Sequence, residues 1–398
     1  MLPGTVRDVD DLLVTAPRVV TPEGVLAPGW VTVTGERVTG TGTGAPPSAA
    51  ATRHLAGTVV PGFVDLHVHG GGGASFGDVG TDPEAVPRVV AAHRRGGTTT
   101  TLASLVSAPP AVLARQVAAL AELAADGVVD GIHLEGPWLS PARAGAHDPA
   151  ALRPPDPTEL DALLRAGRGH IRVVTLAPEL DGALDGAVAA VRRLADAGVV
   201  VAIGHTEADA ATARRAVDAG ARLGTHLFNA MPPMHHRDPG PVGALLADPR
   251  CVVELVADGV HLHPDVLAVA ARAAGPGRWA LVTDAVAAAG LPPGAATFAL
   301  GVVQVAVQEG VARTVASGAL AGSTLTLDAA LRTATGRAGL PVADAVAATT
   351  SVPAGVLGLA DRGVLRTGAR ADLVGLGDDG DVLAVLRAGR WVPRPDSR

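Results

Sequence analysis

What most restricts the fold of this chain is a repeated alternation, through its middle, of short β-branched apolar runs with helical patterns. PEAVPRVVAAHRRGG leads into TTTTLASLV, AVLARQVAALAELAADG into VVDGIHLEGP, ALDGAVAAVRRLADAG into VVVAIGHT, and DAATARRAVDAG into ARLGTHLF. Such strand–helix repeats predict a parallel sheet. Over roughly 300 residues, the expected closure is an eight-stranded TIM-like (β/α)8 barrel of the α/β class.

The apolar runs end alike. His67 and His69 in PGFVDLHVHGGGG, Glu135 in GIHLEGPW, His205 in VAIGHTEA, His226 in LGTHLFNAMP and Asp284 in LVTDA each follow an apolar stretch and precede small or loop-forming residues. In a parallel barrel such ends share one rim. His, Glu and Asp gathered there suit a divalent metal, with positions left open for water and substrate. His67 and His69, at i and i+2 of an extended strand, point to one side. Glu135 sits in an apolar strand, where a carboxylate is costly unless paired or coordinated. With His205 and His226 it makes a three-ligand, water-open set. Asp284 can take a proton from the reacting water and hand it to a leaving group; it can equally cap the helix that Asp-Ala-Val-Ala-Ala-Ala would begin. His133 reads as a support of Glu135 or as core, and Asp65 as an orienting partner of the histidine pair or a direct participant. His93 reads as helix surface, and His235 and His236 as loop surface.

Both ends are rich in short strands: VTAPRVVTP, GWVTVTGERVTG and TRHLAGTVV at the start, GVLRTGARADLVGL and DVLAVLRAGRWV at the finish. They suggest one small β-sandwich domain built from residues 1–58 and 361–398, around a catalytic barrel over 59–360. FALGVVQVAVQEGVARTVAS alternates like a hairpin, so a β insertion is expected near 297–316.

Composition removes several function classes. The net charge of -7 and the lack of a basic run argue against nucleic acid as a partner. No apolar stretch is long enough to span a bilayer. The start, MLPGTVRDVDDLL, carries acids where a signal peptide would be basic, so the cytoplasm is expected. A single cysteine, Cys251, excludes an intrachain disulfide framework. The chain has no lysine, which excludes a Schiff base, a phosphate-loop lysine and a carbamylated lysine between two metals. Any bridge between metals must then be an ordinary carboxylate, with Glu135 the candidate.

These residues resemble the N-acetylglucosamine-6-phosphate deacetylase family within the amidohydrolase superfamily. PGFVDLHVHG and RGVLRTGARADLVGL suggest the superfamily; HLEGPWLSPARAGAHDP, GHTEA, THLFNAMPPMHHRDPG, ADGVHLHP, LVTDA and SGALAGSTLTL suggest the family, over nearly the whole chain. The resemblance implies Glu135, His205 and His226 as main metal ligands, Asp284 as catalytic acid/base and His147 as the group polarising the amide carbonyl. It implies Asn229, Ala230, Arg237, His261 and Leu320 in binding the sugar phosphate. The independent chemistry agrees, since an arginine fork and backbone N–H groups suit phosphate. Some family members lack the His-x-His pair and use one metal. Here His67 and His69 leave open a second ion, shared with Asp284 and bridged by Glu135. Zinc leads the expected metals, with iron, manganese or cobalt as alternatives. A homodimer is implied, with Arg237 the residue suspected of serving a neighbouring copy. Two other readings stay open: another metal-dependent amidohydrolase, such as an N-acyl-amino-acid deacylase or cyclic amidase, and an inactive sugar-phosphate binder.

Overall fold

The computed structural model describes residues 11–181, 186–292, 294 and 296–393. The outermost parts of the expected sandwich, 1–10 and 394–398, and the start of one helical pattern, 183–185, lie outside the described residues. Eight apolar runs form the strands β1 (Phe63–Asp65), β2 (Thr98–Leu105), β3 (Gly131–Glu135), β4 (Ile171–Leu176), β5 (Val200–Ile203), β6 (Leu223–Gly224), β7 (Val252–Val256) and β8 (Trp279–Val282). They pair in sequence order and every ladder between them is parallel. The seam between β8 and β1 closes just beyond the strand ends. Asp284 N donates to His67 O at 2.8 Å, and Val68 bridges Ala285. Asp65 Oδ2 accepts from Thr283 Oγ1 at 2.7 Å. The expected (β/α)8 barrel is therefore the observed one.

Helices α1 (Ala85–Arg95), α2 (Pro110–Ala125), α3 (Pro157–Gly167), α4 (Ala187–Asp196), α5 (Ala210–Ala219), α6 (Gly240–Ala247), α7 (Pro264–Ala274) and α8 (Leu327–Arg332) each follow the strand of the same number. Local sequence sets their limits. Asp156 caps α3 by accepting from Glu159 N, with Pro157 at the first helical position, where its missing N–H costs nothing. Asp209 caps α5 through Thr212 N. On α2, Leu113, Val117, Leu120 and Ala121 recur at helical spacing and are buried against the sheet. Each fully buried leucine there contributes about 1.5–3 kcal/mol.

The two chain ends meet in a sandwich. One sheet orders Arg37–Thr43, Gly29–Thr34, Leu12–Ala16 and Ala51–His54; the other orders Arg390–Trp391, Val382–Arg387, Leu373–Leu376, Thr58–Pro61, Arg18–Thr21 and Gly24–Leu26. Val14, Val19, Val31, Val59, Leu373 and Leu386 fill the space between them. Thr58–Pro61 pairs within this sheet, so the chain changes over to the barrel at Gly62. Arg370 fastens the two units together. Its guanidinium bonds Asp372 Oδ2 at 2.6 Å, Thr99 O at 3.1 Å and Thr100 Oγ1 at 3.1 Å, and Arg387 adds a bond to Thr99 O at 2.9 Å.

Two expectations need correction. The segment near 297–316 is a three-stranded antiparallel sheet, Ala296–Leu300, Val303–Gln308 and Val311–Thr314, with its own core of Val286, Leu300, Val305, Val307, Ala312 and Ala321. His93 is not surface. It is 1% exposed, and its Nε2 donates to Gly70 O at 2.9 Å beneath the glycine loop after β1. A Cβ on Gly71 would stand 2.8 Å from that Nε2, so the glycine run allows the approach.

Candidate metal centre

Past the ends of β1, β3, β5, β6 and β8 the chain turns its polar side chains into the barrel mouth. His205, His226 and Asp284 take left-handed backbone angles, φ 47°, 26° and 49°, as do Phe228 and Ala230. Non-glycine residues pay about 1–3 kcal/mol each for this conformation, a cost usually met at functional sites. Here the turns bring the His205 and His226 side chains to Glu135 and set Asp284 against His67 and His69.

Glu135 is 3% exposed. Its Oε1 lies 3.1 Å from His205 Nε2, 3.0 Å from His226 Nε2 and 3.5 Å from His67 Nε2. Its Oε2 lies 3.1 Å from both His69 Nε2 and His147 Nε2. Asp284 Oδ1 stands 3.4 Å from the Nε2 atoms of His67 and His69. The two oxygens of one carboxylate thus face different sets of imidazoles. Burial alone would raise the Glu135 pKa. Coulombic attraction to His67 and His147 and the hydrogen bond from His147 reverse that and hold it well below the usual carboxylate range. Asp284 is depressed in the same way, burial being outweighed chiefly by His67 and His69.

The far nitrogens decide which histidines offer a lone pair. His205 Nδ1 donates to Arg143 O at 2.7 Å, and His67 Nδ1 donates to Glu254 Oε2 at 3.2 Å. Both therefore point an unprotonated Nε2 at Glu135 when neutral. Facing Nε2 atoms stand 3.1 Å apart in His205 and His226 and 3.0 Å apart in His67 and His69. His69 and His226 have no partner on Nδ1 among the described residues, so their only polar contacts are on Nε2, at the centre. Ligand atoms on a tetrahedral zinc at about 2.0–2.1 Å are separated by roughly 3.3 Å, so a cation suits this donor set. His147 is different. Its Nδ1 accepts from Ser107 N at 3.2 Å, which leaves the proton on Nε2. Burial pushes its pKa down to about 4, keeping it neutral. Although His147 lies within ligating distance of Glu135 and His205, it is built to donate a hydrogen bond and not to ligate.

A polar layer supports the rim from inside the barrel. His133 pairs with Ser104 Oγ and Thr175 Oγ1, each at 2.9 Å, so it belongs to this layer and does not reach Glu135's carboxylate. Asp65 accepts from the backbone N–H of His67 and from Thr283, so it steadies the main chain and the seam and does not bond an imidazole. Burial pushes its pKa up to about 7.

Above the centre opens a cavity of about 360 Å³, whose wall includes His147, Asn229, Ala230, His261 and Leu320. Asp258 Oδ2 accepts from His261 Nδ1 at 2.7 Å, turning His261 Nε2 towards Asp284 Oδ2, 3.9 Å away. Burial opposes protonation of His261, but the Asp258 carboxylate prevails and raises its pKa. Arg237 is not on this wall. It is exposed on its loop, with Nη1 against His236 Nε2 at 2.8 Å; His235 and His236 are exposed as expected. Three contributors went unassigned in the sequence reading. Arg143, on the cavity wall, pairs with Glu207, and nothing in PARAG marks it. Asp258 lies in ADGVHLHP without a role of its own. Glu254 in VVELV carried the signal used for Glu135, a carboxylate in an apolar strand.

The profile of the amidohydrolase family matches residues 58–392. The chain is 38% identical over 318 residues to the N-acetylgalactosamine-6-phosphate deacetylase of Escherichia coli O157:H7, covering 79% of this chain and 82% of that protein. It is 38% identical over 306 residues to the N-acetylglucosamine-6-phosphate deacetylase of Vibrio furnissii, covering 76% and 74%. Among solved structures, the N-acetyl-D-glucosamine-6-phosphate deacetylase of Mycobacterium smegmatis in complex with N-acetyl-D-glucosamine-6-phosphate superposes with a TM-score of 0.91 at 47% identity, over 96% of this chain and 99% of that one. The Thermotoga maritima N-acetylglucosamine-6-phosphate deacetylase superposes with a TM-score of 0.84 at 29% identity, over 95% and 98%.

Proposed function

This chain belongs to the amidohydrolase family, and from that membership and the chemistry of its rim we propose that it hydrolyses N-acetyl-D-glucosamine 6-phosphate to D-glucosamine 6-phosphate and acetate. The observation that carries the reading is the 47% identity, over 96% of the chain, to a deacetylase solved with that sugar phosphate. The residues follow the same logic. Glu135, His205 and His226 are assigned as the main metal ligands; His67, His69 and Asp284 would hold a second ion on the other side of Glu135. Zinc is the metal we assign, on the imidazole and carboxylate donors. A bound divalent ion supplies Lewis acidity and makes water acidic enough to react near neutral pH.

Asp284 takes the proton of the attacking water and returns it to the departing amine. His147, with its proton on Nε2, donates to the acetyl oxygen as negative charge develops there. Asn229, Ala230, His261 and Leu320 hold the sugar phosphate, whose binding energy orients the acetamide. The barrel that begins after Gly62 carries this chemistry, with the sandwich of the two chain ends as its support. Arg237 is assigned to the phosphate of a second copy in a homodimer. Met234, exposed on the same loop as Arg237, supports an interface there. The cytoplasm is the proposed place of action, since no helix among the described residues is long and apolar enough to cross a membrane and a phosphorylated substrate does not leave water unaided.

One relative favours a second reading, the galactosamine epimer, because a deacetylase of that sugar is equally similar. Acetate release from both 6-phosphates and from unphosphorylated N-acetylglucosamine, with metal content measured on the same sample, separates the cases. The expected result is faster release from the glucosamine phosphate, lost on chelation and restored by zinc. Release from neither phosphate by fully metallated protein would discard the reading.

A further inference from the structure

We propose that Glu254 is a positioning residue that makes the His67–His69 side of the rim a working metal site, an inference that rests on the metal-dependent reading above. Glu254 lies in β7 within Val-Val-Glu-Leu-Val and is fully buried. In a strand of this length its neighbours Val253 and Leu255 point outwards to the helices, so its carboxylate points into the barrel. A carboxylate there needs partners that justify its charge. Its Oε2 has two: His67 Nδ1 at 3.2 Å and the backbone N–H of His226 at 3.2 Å. These belong to opposite sides of the centre. One oxygen therefore ties the ring of a β1 ligand to the left-handed turn that presents a β6 ligand.

The contact with His67 has chemical content beyond packing. His67 Nε2 can offer a lone pair only while the proton stays on Nδ1, and Glu254 is the acceptor that keeps it there. Accepting that bond also makes the imidazole a stronger donor and adds a negative charge behind it. The other rim histidines are held differently. His205 Nδ1 rests on a backbone carbonyl, and the Nδ1 atoms of His69 and His226 have no hydrogen-bond partner among the described residues. His67 is thus the rim histidine backed by a carboxylate, and the pair it forms with His69 is the side that depends on Glu254.

The test uses the full chain, stripped of metal and titrated with Co(II), with uptake followed by calorimetry and visible absorption. Glu254→Gln keeps the shape and removes the charge; Glu254→Asp withdraws the carboxylate and serves where the glutamine variant fails to fold. Either is expected to weaken the ion held by His67 and His69 by about 10–100-fold, with loss of its absorption bands. In Glu254→Gln the ion on Glu135, His205 and His226 should keep its affinity, because the amide oxygen can still accept from His226 N, a contact that Glu254→Asp also loosens. Placed in a His67→Asn background, Glu254→Gln should add no further loss, because the effect passes through His67. A structural role alone would lower thermal stability in both backgrounds and leave the Co(II) spectrum of the folded protein unchanged. Equal stoichiometry and affinity in wild type and variant, or an undiminished effect in the His67→Asn background, would overturn the proposal while leaving the metal reading in place. Wild-type protein that takes up no Co(II) or zinc would instead remove the metal reading, and this inference with it.

Discussion

At the residue scale, the histidines differ less in kind than in what each nitrogen meets. His67 and His205 keep the proton on Nδ1, while His147 is held the other way by Ser107 N. No property of the sequence distinguishes these tautomers, because a backbone N–H and a carbonyl have no side-chain signature. The positions themselves were legible, since each closes an apolar run. His93 was not, because the loop that buries it is made of glycines and leaves no apolar mark. Burial lowers its pKa, and its Nδ1 has no hydrogen-bond partner among the described residues. The unfolded chain therefore binds a proton that the folded one refuses once pH falls below the ordinary histidine value of about 6.5. Stability should be insensitive to this group above that value and should decline below it by at most about 1.4 kcal/mol per pH unit. Urea unfolding of wild type and His93→Gln between pH 8 and 5 checks this: the wild type should lose ground to the variant as the solution is acidified. Parallel curves would contradict it.

At the element scale, the strands and helices follow from periodicity, and the turns at the strand ends do not. The left-handed angles at His205 and His226 serve convergence on Glu135, and that at Asp284 serves contact with His67 and His69, long-range demands in each case. The insertion shows a related gap between pattern and outcome. Its alternation was visible, but not that the segment after it returns to clamp Asp284. Ser323 N donates to Asp284 O at 2.7 Å, and Val286 N to Ser323 O at 2.9 Å. Gly322 permits this approach, at φ 66° and with a Cβ position 2.6 Å from Asp284 O. Gly322→Ala is expected to cost about 1–3 kcal/mol of stability and to lower kcat, since it displaces the Asp284 turn. Steady-state kinetics beside thermal melts would reveal an unaffected kcat, the outcome that contradicts it.

At the scale of the whole molecule, the RTGARAD segment joins two units. Arg370 is 8% exposed and bonded to Asp372 and to the first half of β2, far along that strand from the rim. Arg370→Ala leaves the buried Asp372 short of its cation and should destabilise the protein by about 3–5 kcal/mol. Surviving folded protein should keep its metal content, measured by elemental analysis; loss of metal at unchanged stability would place Arg370's influence at the rim instead. The sandwich also imposes an order in time. Thr58–Pro61 pairs on one side with Arg18–Thr21 and on the other with Leu373–Leu376. At about 5–20 residues per second, a ribosome needs roughly 15–60 s to supply the second partner after the first strand has emerged. During that interval Val59 and its neighbours present an unsatisfied strand edge to the cell. The nascent chain must therefore be guarded, by its own growing barrel or by a chaperone, until Leu373–Leu376 has been translated.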